Sequence, residues 1–502
     1  MQSTESGREN TVVEETPRGL SGQIRQWLHL PVVLLWIGVG LYSRFQSVRV
    51  VPYTVGLVGT AVCLRLAIAL VDDGEPPDSR LDPAGPPPSG RSAIDRLLLT
   101  GCLLGMAIGT GGMVSAAGEI TASQPGFATS ALVAAVLVIG ALFALVGRWF
   151  GPVAAGLAVG GIGIGWLTTP TSVSVIETMA YDNHGLYGPL TRAAASWIAP
   201  ACLLAGLWRA SRTADRLGTL APTVRGSGWF TGRRLARGLR LLTPPSMGFV
   251  ALLVAWVSVE ASYLQVIGAA AIPAVLCWVA LLVGSHLAAS PIRIEGPTRP
   301  VDWRAWSGPL FLIGGPLAVM AVLLVGLQLP VGVVLVAGGL CLIGLCLVGP
   351  WLGIAETAET PDKSGQERLR GGVGTVLDGA AIGVGLFARV AVLLAAVGGV
   401  TALLRVDVST GLLSAVLGLS GGNTLLVVVV GGIACVVLGT TLPVLAGYAT
   451  AAVLVVPLLR TLTPIAELTA HLFVWYAVVG GWLLAPATER RLRALVAAID
   501  SS

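Results

Sequence analysis

The sequence predicts an all-α, polytopic membrane protein, and three observations predict it. Of its 502 residues, 54% are hydrophobic and 11% charged, against roughly 25% charged in soluble chains. A mean hydropathy of +0.82 is more apolar surface than a water-soluble core can hide. Apolar runs near bilayer length recur from end to end. The third observation is a break: residues 421–482 are almost wholly apolar, yet Gly439, Thr440, Thr441, Leu442 and Pro443 interrupt them. A helix broken inside hydrocarbon frees backbone polar groups, which membrane proteins tolerate only where the break is buried or lines a polar cavity. Broken helices near mid-membrane are the usual binding elements of secondary transporters, so the predicted function is transport rather than catalysis.

The elements follow in order. Residues 1–26 are polar and of mixed charge (Glu5, Arg8, Glu9, Glu14, Glu15, Arg18, Arg25) and read as a cytoplasmic tail with no cleavable signal peptide. An N-terminal helix pair occupies 27–71, with spans at 27–43 and 52–71. The Pro/Gly/Asp-rich stretch 72–96 reads as a flexible linker. A first hydrophobic block, 97–350, holds spans at 97–117, 127–147, 152–169, 186–208, 243–261, 263–289, 307–327 and 329–350. A polar linker, 351–372, separates it from a second block, 373–502. That block holds spans at 373–402, 424–440, 442–459 and 464–484, with 408–420 as a short re-entrant piece. Judged at about 20 residues per span, the total is about 13 to 15 helices. Leu241-Leu242-Thr243-Pro244-Pro245 is echoed by Leu483-Leu484-Ala485-Pro486, a short hint of two related halves.

Charge sets the orientation. Residues 209–240 carry eight arginines against the single acid Asp215, seven positive charges in excess. Such a loop belongs in the cytoplasm, and a lipid-headgroup site is its second reading. Loops 118–126 and 170–185, with Glu119, Glu177 and Asp182 but no arginine, then lie outside. Arg80, Arg91, Arg96 and Arg148 fall inside, and Arg490, Arg491 and Arg493 place the C-terminus inside too; Arg44 and Arg49 break the rule. A net charge of +5 on a membrane protein does not point to nucleic acid. The seven cysteines lie in apolar stretches without a CxxC or Cys/His cluster, so they read as small buried hydrophobes. No P-loop, HExxH, GxSxG or Rossmann pattern appears, which leaves no ATP-driven step and no catalytic or metal centre to assign.

Several positions are candidates for binding. At the break, the freed carbonyls and the hydroxyls of Thr440 and Thr441 are hard oxygen ligands that suit a cation, and a half-helix N-terminus suits a carboxylate. The plainer reading is a proline-kinked helix whose threonines bond back to their own backbone. Glu467 and His471, four residues apart, share a helix face and read as a helix-end pair or a proton relay. Asp378 and Arg389 share a face across three turns, about 16 Å, too far to pair with each other. Arg389 is the deeper intramembrane charge, whereas Arg65, near the end of its span, reads as snorkelling. Pro244 and Pro245 break any helix at its start, and Asp182-Asn183-His184-Gly185 reads as an external turn.

These motifs, taken in order, resemble the large permease of TRAP transporters, particularly the fused TAXI type. In the second half the resemblance rests on Gly421-Gly422-Asn423, on Leu438-Gly439-Thr440-Thr441-Leu442-Pro443 with Tyr448, and on His471-Leu472-Phe473-Val474-Trp475-Tyr476. In the first half it rests on Pro244-Pro245-Ser246-Met247-Gly248, Tyr263-Leu264-Gln265-Val266, Ala269–Ala274 and His286-Leu287, and before them on Gly185-Leu186-Tyr187-Gly188. The resemblance implies two permease halves with broken helices in the cytoplasmic membrane. It also implies symport of an organic acid, dicarboxylate-like, with Na+ or H+ and no further cofactor, and a TAXI-type extracytoplasmic solute-binding protein as partner. Carried over by motif, the site would be Pro244, Pro245, Asn423, Gly439, Thr440, Thr441, Pro443 and His471. The chain departs from the pattern where Val444 and Leu445 replace two threonines after the proline, where Trp482-Leu483-Leu484-Ala485-Pro486 replaces a polar motif, and where the short basic loop 209–242 stands in for a hairpin. A degenerate paralogue that keeps the scaffold without transporting is the alternative, and weak or atypical ion coupling is expected.

Overall fold

The computed structural model describes residues 50–71, 93–119, 129–150, 172–181, 194–211, 263–289, 303–349, 364–406 and 408–482, with short pieces inside 154–163 and 185–191. These residues are 92% helical, without a strand among them. In chain order the helices are α1 (Val50–Val71), α2 (Ala93–Glu119), α3 (Thr129–Phe150), α4 (Ser172–Tyr181), α5 (Ala199–Ala210), α6 (Tyr263–Ala289), α7 (Trp303–Ala321), α8 (Val331–Val348), α9 (Gly365–Val406), α10 (Val408–Ser420), α11 (Thr424–Thr441) and α12 (Val444–Leu462). α13 covers residues 467–482. Six described helices are long and apolar enough to cross a membrane: α2, α3, α8, α9, α11 and α12. The all-α polytopic fold is therefore present. The candidate spans 27–43 and 243–261, with Pro244 and Pro245, lie outside the described residues, as does Asp182-Asn183-His184.

α9 is the axis of the bundle. At 42 residues it is about 63 Å long, twice the hydrocarbon thickness. It packs against α1, α3, α4, α5, α8 and α12. Its buried residues are mostly small (Ala380, Val384, Ala388, Ala391, Val392, Ala395, Ala396), with Phe387 among them. Small residues let backbones approach, which is how helices associate where lipid removes the hydrophobic difference. The closest approach is to α5: a Cβ at Gly383 would lie 2.9 Å from Leu203 Cα, one at Gly379 would lie 2.8 Å from Leu207 Cα, and one at Gly206 would strike the Gly379 carbonyl.

The polar linker read at 351–372 overlaps α9, which begins at Gly365. Ser364 and Glu367 form a capping box, with Ser364 N–H donating to Glu367 Oε2 at 3.0 Å and Glu367 N–H donating to Ser364 Oγ at 3.4 Å. Ser-x-x-Glu was legible in the linker and marks the start. Arg65 of α1, read as snorkelling, is half-buried with its guanidinium beside Gly385 of α9. The first linker likewise ends early, at Ala93, and Asp95 at the head of α2 pairs through both carboxylate oxygens with the Arg148 guanidinium of α3. The segment 186–208 is not one helix: a turn at 185–188, in which Leu186 N–H donates to Met179 O at 2.7 Å, precedes a π-helical turn at Ala194–Ile198 and then α5.

Candidate functional site

The break is built by α11 and α12. Asn423 starts α11: Gly421 (φ 56°) and Gly422 (φ 82°) turn the chain, and the Asn423 carboxamide oxygen accepts from Leu425 N at 3.0 Å and Leu426 N at 3.4 Å. Asn423 is thus an N-cap. It sits at the far end of α11 from Gly439, sixteen residues or about 24 Å away, and is not part of a common site with it.

α11 ends at Thr441. Leu442 (φ −111°, ψ 154°) and Pro443 (φ −54°, ψ 141°) are extended, and α12 begins at Val444. The two helices lie side by side: Gly431 faces Val455, and Gly447 faces the Leu438 carbonyl. The break is therefore the turn of a helical hairpin. Each arm, 18 and 19 residues, is about 27 Å long, close to the hydrocarbon thickness. By length and composition each arm is a candidate span of its own, with the turn between them.

The chemistry at the turn follows from the backbone. Pro443 has no N–H, so the Gly439 carbonyl loses its helical donor. Pro443 caps α12 without a side-chain bond, and the first helical bond there runs from Gly447 N to Pro443 O at 2.9 Å. The amides of Val444, Leu445 and Ala446 precede it and have no acceptor within α12. Carbonyl oxygens and amides thus meet in one turn. The threonines follow the plainer reading: Thr440 Oγ1 donates to Val437 O at 2.8 Å, and Thr441 Oγ1 to Val437 O at 3.0 Å and Leu438 O at 3.2 Å. Their lone pairs remain available as acceptors. Thr440 is half-buried and Thr441 exposed.

α13 closes the inner side. Its positions 467, 471, 475 and 478 recur at helical spacing and face the hairpin. Val478 fills the crook of the turn, its carbonyl against Gly439 and its Cγ1 against Gly447, while Gly481 meets the Val436 carbonyl. Glycine at 439 and 481 is required by these backbone approaches. Tyr448 and His471, both fully buried, share a hydrogen bond of 3.0 Å between the phenol oxygen and Nδ1. Trp475 stands edge-on to Tyr448 with centroids 5.7 Å apart, and its buried indole N–H has no acceptor among the described residues. Glu467 pairs with Arg460 of α12 at 2.8 Å across the 463–466 turn. Tyr476, on the outer side of α13, donates to Ala270 O of α6 at 3.1 Å.

The structure therefore sets Gly439 against Val478 at the turn, while His471 meets Tyr448, itself beside Trp475, farther along α12 and α13. Asp378 and Arg389 lie elsewhere, half-buried on α9, and both are engaged in interactions there. Arg460 and Val478 were not singled out from sequence. An arginine one turn before Thr463-Pro464 was the available signal for the first, and an apolar valine in an apolar run offers none.

The architecture now meets an independent comparison. Residues 238–487 match the family model of the DctM component of the tripartite ATP-independent periplasmic transporters. No curated protein and no solved structure matches the chain. The matched segment contains α6 to α13, hence the whole hairpin site, while α1 to α5 precede it. DctM components are transporter permeases, not enzymes, and work in TRAP systems with a periplasmic binding protein and a small component. With its membrane-length helices, the chain is a multi-pass membrane protein whose residues 238–487 match the DctM family model.

Proposed function

We propose that the chain is the permease of a TRAP-type secondary transporter of the cytoplasmic membrane, importing an organic acid of dicarboxylate type against its gradient. The single observation that carries this reading is the hairpin turn at Leu442–Pro443 inside the DctM-matched segment. There, uncapped amides, able to meet a carboxylate, lie beside carbonyl and hydroxyl oxygens, able to meet a cation. A TAXI-type extracytoplasmic protein delivers the substrate, and an ion gradient drives its entry. α1 to α5 belong to the extra spans of a fused permease.

The test is uptake of labelled C4-dicarboxylates into proteoliposomes containing the full chain and the binding protein encoded beside it. Accumulation that depends on both the binding protein and an imposed ion gradient supports the reading. The second reading, an accessory paralogue that has lost transport, is favoured by Val444 and Leu445 at positions where the resemblance calls for threonines. It predicts a folded protein with no uptake under either a sodium or a proton gradient.

A further inference from the structure

One face of α13 carries a line of ionisable groups that the hairpin turn does not use. At its start, Glu467 gives one carboxylate oxygen to Arg460, whose side chain is 53% exposed beside the 463–466 turn. The other oxygen, Oε1, is buried with no hydrogen-bond partner among the described residues. A carboxylate oxygen sealed from water without a donor is costly, which marks Oε1 as a place for an exchangeable partner. One turn on, His471 occupies the same face, at the spacing where helical side chains are about 5–6 Å apart. It is fully buried, yet it is bonded to another titratable group, Tyr448, and not merely packed among apolar ones. Tyr448 lies five residues, about 7 Å, from Pro443 along α12. The line thus runs from a half-exposed turn to the neighbourhood of the hairpin break, with Trp475 packed at its inner end.

The groups facing His471 can be named by element. From its own helix come Glu467 and Trp475; from α12 come Tyr448 and the charge of Arg460. α11 carries Cys435 as its one ionisable side chain, and α6 meets α13 on its other side, where the Ala270 carbonyl accepts from Tyr476.

We propose that Glu467, His471 and Tyr448 form a proton pathway from the 463–466 turn into the bundle beside the hairpin break, which makes the proton the ion coupled to this permease. The proposal rests on the transport reading above and names its ion. The proton lands on Glu467 Oε1, neutralises the carboxylate and loosens its hold on Arg460. It passes to the imidazole, which becomes a cation, and the ring returns to neutral when it releases the proton on the cytoplasmic side. With His471 neutral, the Tyr448 hydroxyl donates to Nδ1; with His471 charged, Nδ1–H donates to the phenol oxygen, so one hydrogen bond serves both states. No other bond forms or breaks. The arginines at 490, 491 and 493 place the C-terminus in the cytoplasm, which turns the 463–466 end outward, toward the side from which an importer takes its proton.

The test reads His471 directly. The full chain, with labelled histidine and reconstituted in nanodiscs, is titrated by NMR, His471 being assigned by its loss in His471→Gln. The ring of the wild type is expected to titrate. Glu467→Gln moves the midpoint down by about one unit, and Arg460→Gln, at a half-exposed site that tolerates the change, moves it up, because one removes a negative and the other a positive neighbour. A ring that never titrates, or equal midpoints in the three proteins, overturns the pathway. Uptake in proteoliposomes tests the coupling: a pH gradient drives uptake in the wild type and not in His471→Gln. Uptake driven by sodium alone and indifferent to His471→Gln overturns the coupling. Absence of uptake under every gradient, with the shifts intact, leaves the proton pathway standing and removes the transport reading instead.

Discussion

Asn423 is a residue whose motif reads as a binding signature and whose geometry is that of a helix cap. Gly421 and Gly422 supply the two left-handed conformations that other residues adopt at a cost of about 1 kcal/mol or more each, and Asn423 then satisfies two amides of α11. Asn423→Ala is expected to lower stability by about 1 kcal/mol, read as a drop in the thermal unfolding midpoint in detergent, while Asn423→Asp keeps the cap and the midpoint. Thr440 and Thr441 differ, since their hydroxyls have protons committed to Val437 and Leu438 but lone pairs to spare. A dehydrated cation needs several converging oxygens, and Val444 and Leu445 add no side-chain oxygen to the two threonines. Sodium is therefore expected to contribute little: uptake proceeds at the same rate with and without a sodium gradient. Robust sodium-driven uptake, abolished by Thr440→Val and Thr441→Val, would show a sodium site rebuilt at the turn.

At the scale of elements, two close approaches hold the site in place. α11 and α13 touch backbone to backbone at Gly439 with Val478 and at Gly481 with Val436. α5 and α9 do the same at Gly206, Gly379 and Gly383. Backbone atoms yield far less than side chains, so a large residue at these points forces helices apart. Gly383→Leu and Gly481→Leu are each expected to destabilise the protein by about 1–3 kcal/mol or more, seen as early unfolding and aggregation by size-exclusion chromatography. Gly101→Leu on α2, where a Cβ meets nothing within 4 Å, serves as the tolerated control. The α5–α9 crossing also couples a helix ahead of the DctM-matched segment to the axis of that segment. The leading helices are part of one bundle with it, not an appendage.

At the scale of the whole molecule, topology fixes which end of the hairpin meets which side. The seven excess positive charges of 209–240 lead us to expect that segment in the cytoplasm. Cysteine at position 226, introduced as Gly226→Cys in a chain freed of its own cysteines, is expected to react with a membrane-impermeant maleimide only after the cells are opened. Labelling in intact cells would reverse the orientation and turn the 463–466 end inward. The outer face of α11, where Leu425 is 71% and Ile433 60% exposed, and that of α6, with Ile272 and Leu276, are apolar, as helices need to be where they meet lipid.

The sequence by itself determined the fold class, the approximate ends of most described helices and the location of the break. These depend on hydropathy summed over about 20 residues and on proline's missing N–H, both local properties. The helix start at Gly365 was equally local, and Ser364 with Glu367 announced it. Only the tertiary structure decided that the break is the turn of a hairpin and that Asn423 stands at the other end of α11. It alone showed that Arg65 lies beside Gly385 and that Glu467 pairs with Arg460 while His471 turns inward to Tyr448. Each of these depends on which helix faces which, and in a chain apolar on nearly every face the hydrophobic pattern does not choose among faces. Backbone approach at glycines and a few buried polar bonds make that choice.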